Sequence, residues 1–334
     1  MSAATRAARI RRGAGWFALP DRGLIRVRGA DRVRWTNGML SNDVARLAPG
    51  PDRSGCYALL LTAQGRIVAD LHVLAREQEL WLEIARAAVP DVLARLDRYV
   101  IADDVSLADA SDDWCRFALE GPRAPELLAR AAGAALAIAP DCGVPLSLGG
   151  ATAVACAWGW SGEPAYQLFV PPAAAGAVSD AIAAAAGSGG LEVGDAASLE
   201  VLRIEAGTPR LGSELGEDVL PAEAGLVGRA VSLTKGCYTG QEIVARMESR
   251  GTASHRLVGL RFDGALPAGA LPIAGAPVFS GGQRVGGVTS ACHSARAGAI
   301  ALAYVRRAHA EPDTEVAVGE VAARIASLPF ATAD

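Results

Sequence analysis

Residues 235–242 read Lys-Gly-Cys-Tyr-Thr-Gly-Gln-Glu, and this stretch carries the chain's densest reactive chemistry. Cys237 is one of six cysteines, with Cys56, Cys115, Cys142, Cys156 and Cys292. No two are spaced as a CxxC pair or a zinc ligand cluster, so reduced thiols in a cytoplasm and no metal site are expected. Lys235 is the single lysine among 32 Lys and Arg residues. An ammonium is a compact charge with a shiftable pKa and a guanidinium is neither, so this one exception invites a chemical explanation. Lys235 and the positive end of a following helix would both favour thiolate over thiol, which makes Cys237 a candidate reactive group. The rival reading is a small buried thiol in a tight turn flanked by glycines.

The following letters, IVARMESRG, place Ile243, Val244 and Met247 on one helical face. Thr239 and Glu242 have the spacing of a capping box, with Thr239 as N-cap, Tyr238 and Ile243 as a hydrophobic staple, and Arg250 with Gly251 as the stop. Gly236 and Gly240 keep the backbone slim for a ligand or partner. Upstream, Asp195 is the expected cap of a helix, AASLEVLRIEA, that stops at Gly207. Glu205 in its last turn opposes the helix dipole and calls for a partner: Arg203, a neighbouring segment or a ligand. A phosphate loop GxxxxGK[ST] is absent. Cys-His hydrolase chemistry has no nominated base among His72, His255, His293 and His309.

These groups must be positioned by a chain of 334 residues, enough for two or three domains. With 51% hydrophobic and 20% charged residues it is a globular composition, not a disordered one. A net charge of −4 argues against direct nucleic-acid binding, and no apolar run is long enough for a membrane span. The Arg-rich start MSAATRAARIRR has the superficial character of a transit peptide, against a ragged Ala/Arg-rich terminus. Strand and helix patterns predict an α+β protein in five segments: an Arg-rich tail over 1–20, an α+β domain over 21–112, a second α+β segment over 113–190, a segment over 191–254 holding the two motifs, and a small β-barrel over 255–334. Within the first domain, 57–61 and 66–74 read as a hairpin turning at 62–65, and 90–100 reads as a helix.

RIEAGTPRLGSEL (203–215), LPAEAGL (220–226) and KGCYTGQEIVARMESRG (235–251) resemble the YgfZ branch of the folate-binding YgfZ/GcvT superfamily. GADRVRWTNGMLSNDV (29–44), LLLTAQGRIVADLHV (59–73), ALEGPRA (118–124) and GWSGEPAYQLFVP (159–171) extend the resemblance over nearly the whole chain. It implies a GcvT-like ring of three domains around a central folate site, with tetrahydrofolate or a one-carbon derivative as ligand. Glu205 then stands at the pterin-recognition position, with Arg203, Tyr238, Gly240, Gln241 and Glu242 as further folate-site residues and Cys237 and Lys235 as the reactive pair. The implied role is accessory: a cytoplasmic, monomeric protein that supports assembly or repair of iron–sulfur clusters in client enzymes, one of them a tRNA-modifying enzyme. Cys237 would serve as nucleophile, redox thiol or one ligand of a transient cluster. The alternative is an aminomethyltransferase of the glycine cleavage type. Those enzymes share the glutamate, lack the cysteine signature and carry a catalytic aspartate near the start of the 90–100 helix, where Asp91 stands.

Overall fold

A computed structural model describes residues 1–251, 253–264, 266 and 269–330, with side chains of the helix Gln241–Arg250 described as far as residue 247. Two sheets and a barrel make up the molecule. The first sheet has five strands in the order Gly55–Leu61, Ile67–Ala75, Leu80–Ala85, Arg22–Arg28 and Ser106–Asp109. The hairpin at 62–65 forms as expected, with Gly65 at φ 72° closing it. One face of this sheet buries Ile25, Leu71, Val73 and Leu82 under the helices Arg32–Met39 and Val89–Asp97.

The second sheet has six strands, in the order Leu191–Val193, Ala14–Ala18, Cys115–Glu120, Ala165–Val170, Ala151–Cys156 and Gly143–Leu148. Its outer strands correct the expectation of a tail over 1–20. Ala3–Ile10 is a helix with Ala7 and Ile10 fully buried, and Ala14–Ala18 pairs with both Cys115–Glu120 and Leu191–Val193. The arginines that suggest a targeting segment are neutralised within the fold: Arg6 and Arg9 by Glu192, and Arg11 by Glu163 and Glu205. The helix Ala196–Ala206 is capped as its letters predict, Asp195 accepting from the Ser198 amide at 2.8 Å and Ser198 Oγ accepting from the Asp195 amide at 3.0 Å.

The C-terminal barrel closes through His255–Phe262, Gly298–Arg306, Gln283–Ser294, Pro277–Ser280, Glu315–Val318 and Val321–Ala326. It docks on the rest through a buried apolar cluster, Ile10, Phe17, Leu202 and Ile204 against Leu257, Ile300, Leu302 and Phe330, and through polar contacts beside it. Arg203 donates to Ser290 Oγ at 2.6 Å, Tyr304 donates its hydroxyl to the Glu214 carbonyl at 2.9 Å, and the Phe330 amide donates to the Glu205 carbonyl at 2.9 Å. The two sheets face each other across Leu24, Leu74, Trp81, Val154, Cys156 and Phe169.

Candidate functional site

Above that apolar floor the facing sheets turn polar. Side chains alternate along a strand, so residues 70, 72 and 74 share the inner face of the first sheet. The register adds Tyr57 and Glu83, which pair with His72, to the same face. From the second sheet, Arg116 pairs with Phe169, Ala118 with Gln167 and Glu120 with Ala165, which puts Arg116, Glu120 and Gln167 on the opposing inner face. Each interrupts an apolar strand: IVADLHVLA, LWLEIA, CRFALE and AYQLFV. A charged or amide side chain inside such a run is the sequence signal for these positions.

Glu83 is the electrostatic hub and has no exposure to solvent. Arg22 grips it with both prongs, Nε at 2.6 Å and Nη2 at 3.0 Å, Arg116 Nη2 lies 3.4 Å away and His72 Nδ1 3.6 Å away. Burial alone would raise its pKa, but Arg22 and Arg116 overturn that and hold the carboxyl well below its ordinary range. His72 stacks on Trp158 with centroids 4.2 Å apart, and its Nε2 lies 3.3 Å from Asp141. Arg229 donates to Asp141 at 2.7 Å and covers the Tyr57 ring at 4.6 Å. Tyr57 in turn donates its hydroxyl to Asp70 at 3.0 Å.

Glu120 is fully buried and accepts from the amides of Trp160 and Ser161, the latter at 2.8 Å. That anchors the loop bearing Trp158 and Trp160 against the second sheet. Gly159 is needed there, since a Cβ would stand 2.3 Å from Ala165 Cβ and 2.9 Å from Glu120 Oε1. Burial raises the Glu120 pKa against those amide bonds.

Among the described residues, several buried polar atoms in this space have no hydrogen-bond partner, Nε1 of Trp158 and both Oε1 and Nε2 of Gln167 among them, while the Arg116 guanidinium, ion-paired to Glu83, lies over the Phe169 ring at 3.5 Å. Burial pulls the Arg116 guanidinium down to about 10 against the pull of Glu83. Leaving such groups unpaired costs about 1–3 kcal/mol each. A cavity of about 220 Å³ is lined by Phe17, Leu19, Arg22, Trp160, Leu199 and Arg203 among others. Arg22 lies over Trp160 at 5.4 Å and joins the cavity to the hub.

The sequence-nominated residues lie elsewhere. Glu205 is 2% exposed, and both its oxygens are engaged, Oε2 by Arg11 Nε at 3.0 Å with Arg296 Nε at 3.3 Å, Oε1 by Ser294 Oγ at 2.6 Å. It rivets the N-terminal helix to the barrel. Arg203 is spent on Glu200, Glu214, Ser290 and the Thr208 carbonyl, and only borders the cavity. Lys235 donates to the carbonyls of Asn37, Leu40 (2.6 Å) and Asn42 (2.9 Å), a cation at the C-terminal end of the helix Arg32–Met39. Burial lowers it to about 8. All three ammonium protons point at that helix end, which corrects the picture of Lys235 as activator of Cys237. Cys237 itself is exposed, so the buried-thiol alternative does not hold either.

The capping box on Thr239 and Glu242 is also corrected. The helix starts at Gln241 behind Gly240 at φ 84°, with no side-chain cap. A left-handed residue at 240 turns Thr239 away from the first helical amides, and Gly240 is there because a Cβ would meet the Thr62 carbonyl at 2.6 Å. Tyr238 is buried with Leu59 and Val244, Gln241 and Gly240 are half-buried and Glu242 is exposed. Asp91 is 63% exposed at its side chain, paired with Arg95 at 2.8 Å, and lines a separate cavity of about 390 Å³ with Thr239. Among the described residues no group of His, Cys, Asp and Glu is arranged to hold a metal ion, and no helix is long and apolar enough to cross a membrane.

The profile of the GCVT N-terminal domain matches residues 2–235, and that of the glycine cleavage T-protein C-terminal barrel domain matches residues 255–331. A protein from Saccharopolyspora erythraea named Aminomethyltransferase is 33% identical over 330 residues, covering 96% of this chain and 88% of that protein. Another of that name from Rubrobacter xylanophilus is 34% identical over 331 residues, covering 96% and 84%. The crystal structure of glycine cleavage system aminomethyltransferase T from Bartonella henselae shares the fold, with a TM-score of 0.85 at 24% identity over 99% of this chain and 90% of that one. These findings overturn the YgfZ branch and the accessory role. Relatives a third identical along nearly the whole chain bear the transferase name, so iron–sulfur assembly, its client partners and tRNA modification are withdrawn.

Proposed function

The chain belongs to the glycine cleavage T-protein family, and from that premise we propose that it is a folate-dependent aminomethyltransferase whose active site is the chamber between the two sheets. The observation that carries the reading is the 33% identity over 96% of this chain to a protein named Aminomethyltransferase, beside the match to both domains of the family. A pterin ring is rich in edge acceptors and donors and has flat faces, which suit the cation of Arg22 and the flat ring of Trp160 that line the 220 Å³ cavity. Tetrahydrofolate, when bound, supplies the nitrogens that take up the one-carbon unit.

The chain's own residues have separable tasks. Glu83, held ionised by Arg22 and Arg116, fixes those two guanidiniums, Arg22 at the wall of the cavity and Arg116 over the Phe169 ring at 3.5 Å. The His72–Trp158 stack and the buried floor keep water out, which strengthens each polar contact inside. Asp70 is the carboxylate on the inner face held by one neutral donor, the Tyr57 hydroxyl, and is the group we assign to proton transfer. Asp91, on the far side of the first sheet, lines the separate cavity of about 390 Å³.

The experiment is transfer from an aminomethyl-bearing lipoyl carrier protein to tetrahydrofolate, read as methylene-tetrahydrofolate formed. Wild-type protein turns over, and Asp70→Asn lowers kcat by about 10²–10⁴-fold while folate affinity stays within a few-fold. Absence of turnover by the wild type overturns the transferase, and full activity of Asp70→Asn overturns the role of Asp70.

A further inference from the structure

We propose that the cavity where the barrel meets the end of the helix Ala196–Ala206 is a binding site for a phosphate monoester, held by Arg256 and Arg307. The cavity measures about 470 Å³ and shares no lining residue with the 220 Å³ cavity, so it does not depend on the folate reading.

The strand register builds it. His255 opens the strand His255–Phe262 opposite Arg306, and the Arg307 amide donates to the Ser254 carbonyl at 3.0 Å, which sets Arg256 and Arg307 at the same end of the strand pair. Two more main-chain bonds fix the other walls. The Leu257 amide donates to the Glu223 carbonyl at 2.9 Å, beside Ala222 and Ala224, and the Phe330 amide donates to the Glu205 carbonyl at 2.9 Å, beside Leu328 and Pro329. A space framed by main chain in this way stays open, because the alanine methyls are too short to fill it.

Its charge is one-sided. Arg256 and Arg307 are exposed, and among the described residues neither guanidinium has an ion pair or a hydrogen bond. Among those residues no carboxylate lines the cavity either. Elsewhere the fold meets arginines such as Arg11, Arg22 and Arg203 with glutamates. The neighbouring cavity of about 490 Å³, which shares His255, holds Arg66, Arg284 and Arg306 but also Asp218 and Glu223 to balance them.

Two guanidiniums without a counter-charge select the ligand. A phosphate monoester carries about −1.5 to −2 near pH 7 and offers three acceptor oxygens, enough for both forks, whereas a single carboxylate meets one of them. Cavities of about 300–1,000 Å³ suit a small organic molecule more than a bare ion. Leu257, Leu328 and Pro329 give its carbon body an apolar wall. Bound there, the ligand touches the barrel, the helix end and the loop at 222–225 together, and so fastens the barrel to the rest of the chain.

The test is calorimetric titration of the full chain, at fixed ionic strength, with phenyl phosphate, inorganic phosphate and benzoate, together with thermal unfolding in each. Phenyl phosphate is expected to bind and to raise the unfolding temperature, with inorganic phosphate and benzoate each at least about tenfold weaker. Arg256→Gln and Arg307→Gln each lower phenyl phosphate affinity about ten- to hundredfold. Ala222→Leu lowers it by filling the cavity, and Arg306→Gln, in the neighbouring cavity, leaves it within about twofold. Both arginines of the site are exposed, so their variants keep the test decisive even if Ala222→Leu does not fold. No binding of phenyl phosphate overturns the site, as does affinity that survives loss of both arginines or falls as far in Arg306→Gln. Equal affinity for inorganic phosphate overturns the ester, and equal affinity for benzoate overturns the phosphate.

Discussion

Glu205 and Cys237 illustrate how a residue's chemistry follows from its neighbours more than from its type. A carboxylate in the last turn of a helix needs a partner, and that expectation is met three times over: by Arg11, Ser294 and Arg296. The resemblance implies a pterin role for Glu205, whereas its contacts give it a seam to hold. Glu205→Gln is therefore expected to destabilise the protein by about 1–3 kcal/mol in urea titrations, because one buried donor is left facing another. Folate affinity of the folded variant should stay within twofold by calorimetry; a tenfold loss would return Glu205 to the ligand.

At the scale of elements, the helix Gln241–Arg250 shows two local signals in competition. A Thr-x-x-Glu spacing favours a capping box, but the hairpin at 62–65 packs so closely that residue 240 must be a left-handed glycine. The tertiary contact wins, since a cap is worth about 1 kcal/mol and a clash with a carbonyl more. Thr239→Ala is expected to change stability by less than about 0.5 kcal/mol, whereas Gly240→Ala should cost about 1–3 kcal/mol. Equilibrium denaturation of the pair decides it: a loss of about 1 kcal/mol in Thr239→Ala with little effect at Gly240 would restore the capping box. The helix Ala196–Ala206 is the contrasting case, where no such neighbour intrudes and its Asp195 cap forms as read.

At the scale of the whole molecule, the sheets are tied together across the chamber by Asp141, which reaches from the second domain's loop to His72 on the first sheet and to Arg229. Burial alone would raise the Asp141 pKa; His72 and Arg229 reverse this and bring it to about 2. A carboxyl held below its ordinary value contributes stability that is present above about pH 4 and lost as pH falls through about 2. The shift corresponds to about 2 kcal/mol. Asp141→Asn should accordingly be less stable near neutral pH by about that amount and show a shallower loss between pH 4 and pH 2. Parallel pH profiles of stability for the two proteins would show that Asp141 is not the tie.

Periodicity, turns and caps are local quantities, and the chain's letters determined what depends on them: the hairpin at 62–65, the helix behind Asp195, the barrel from 255 onward and the α+β class. Composition likewise excluded disorder. What lay beyond the letters was which strands become neighbours. The strand Ala14–Ala18 joins partners about 100 and about 177 residues away, so a segment that reads as a tail becomes part of a sheet. The chamber arises the same way: Asp70, His72, Glu83, Arg116 and Gln167 sit on four separate strands, each an isolated polar residue in an apolar run. A linear motif cannot register them, because burial, and with it the cost of an unpaired amide or the hold on a carboxylate, exists only once two sheets have closed over them.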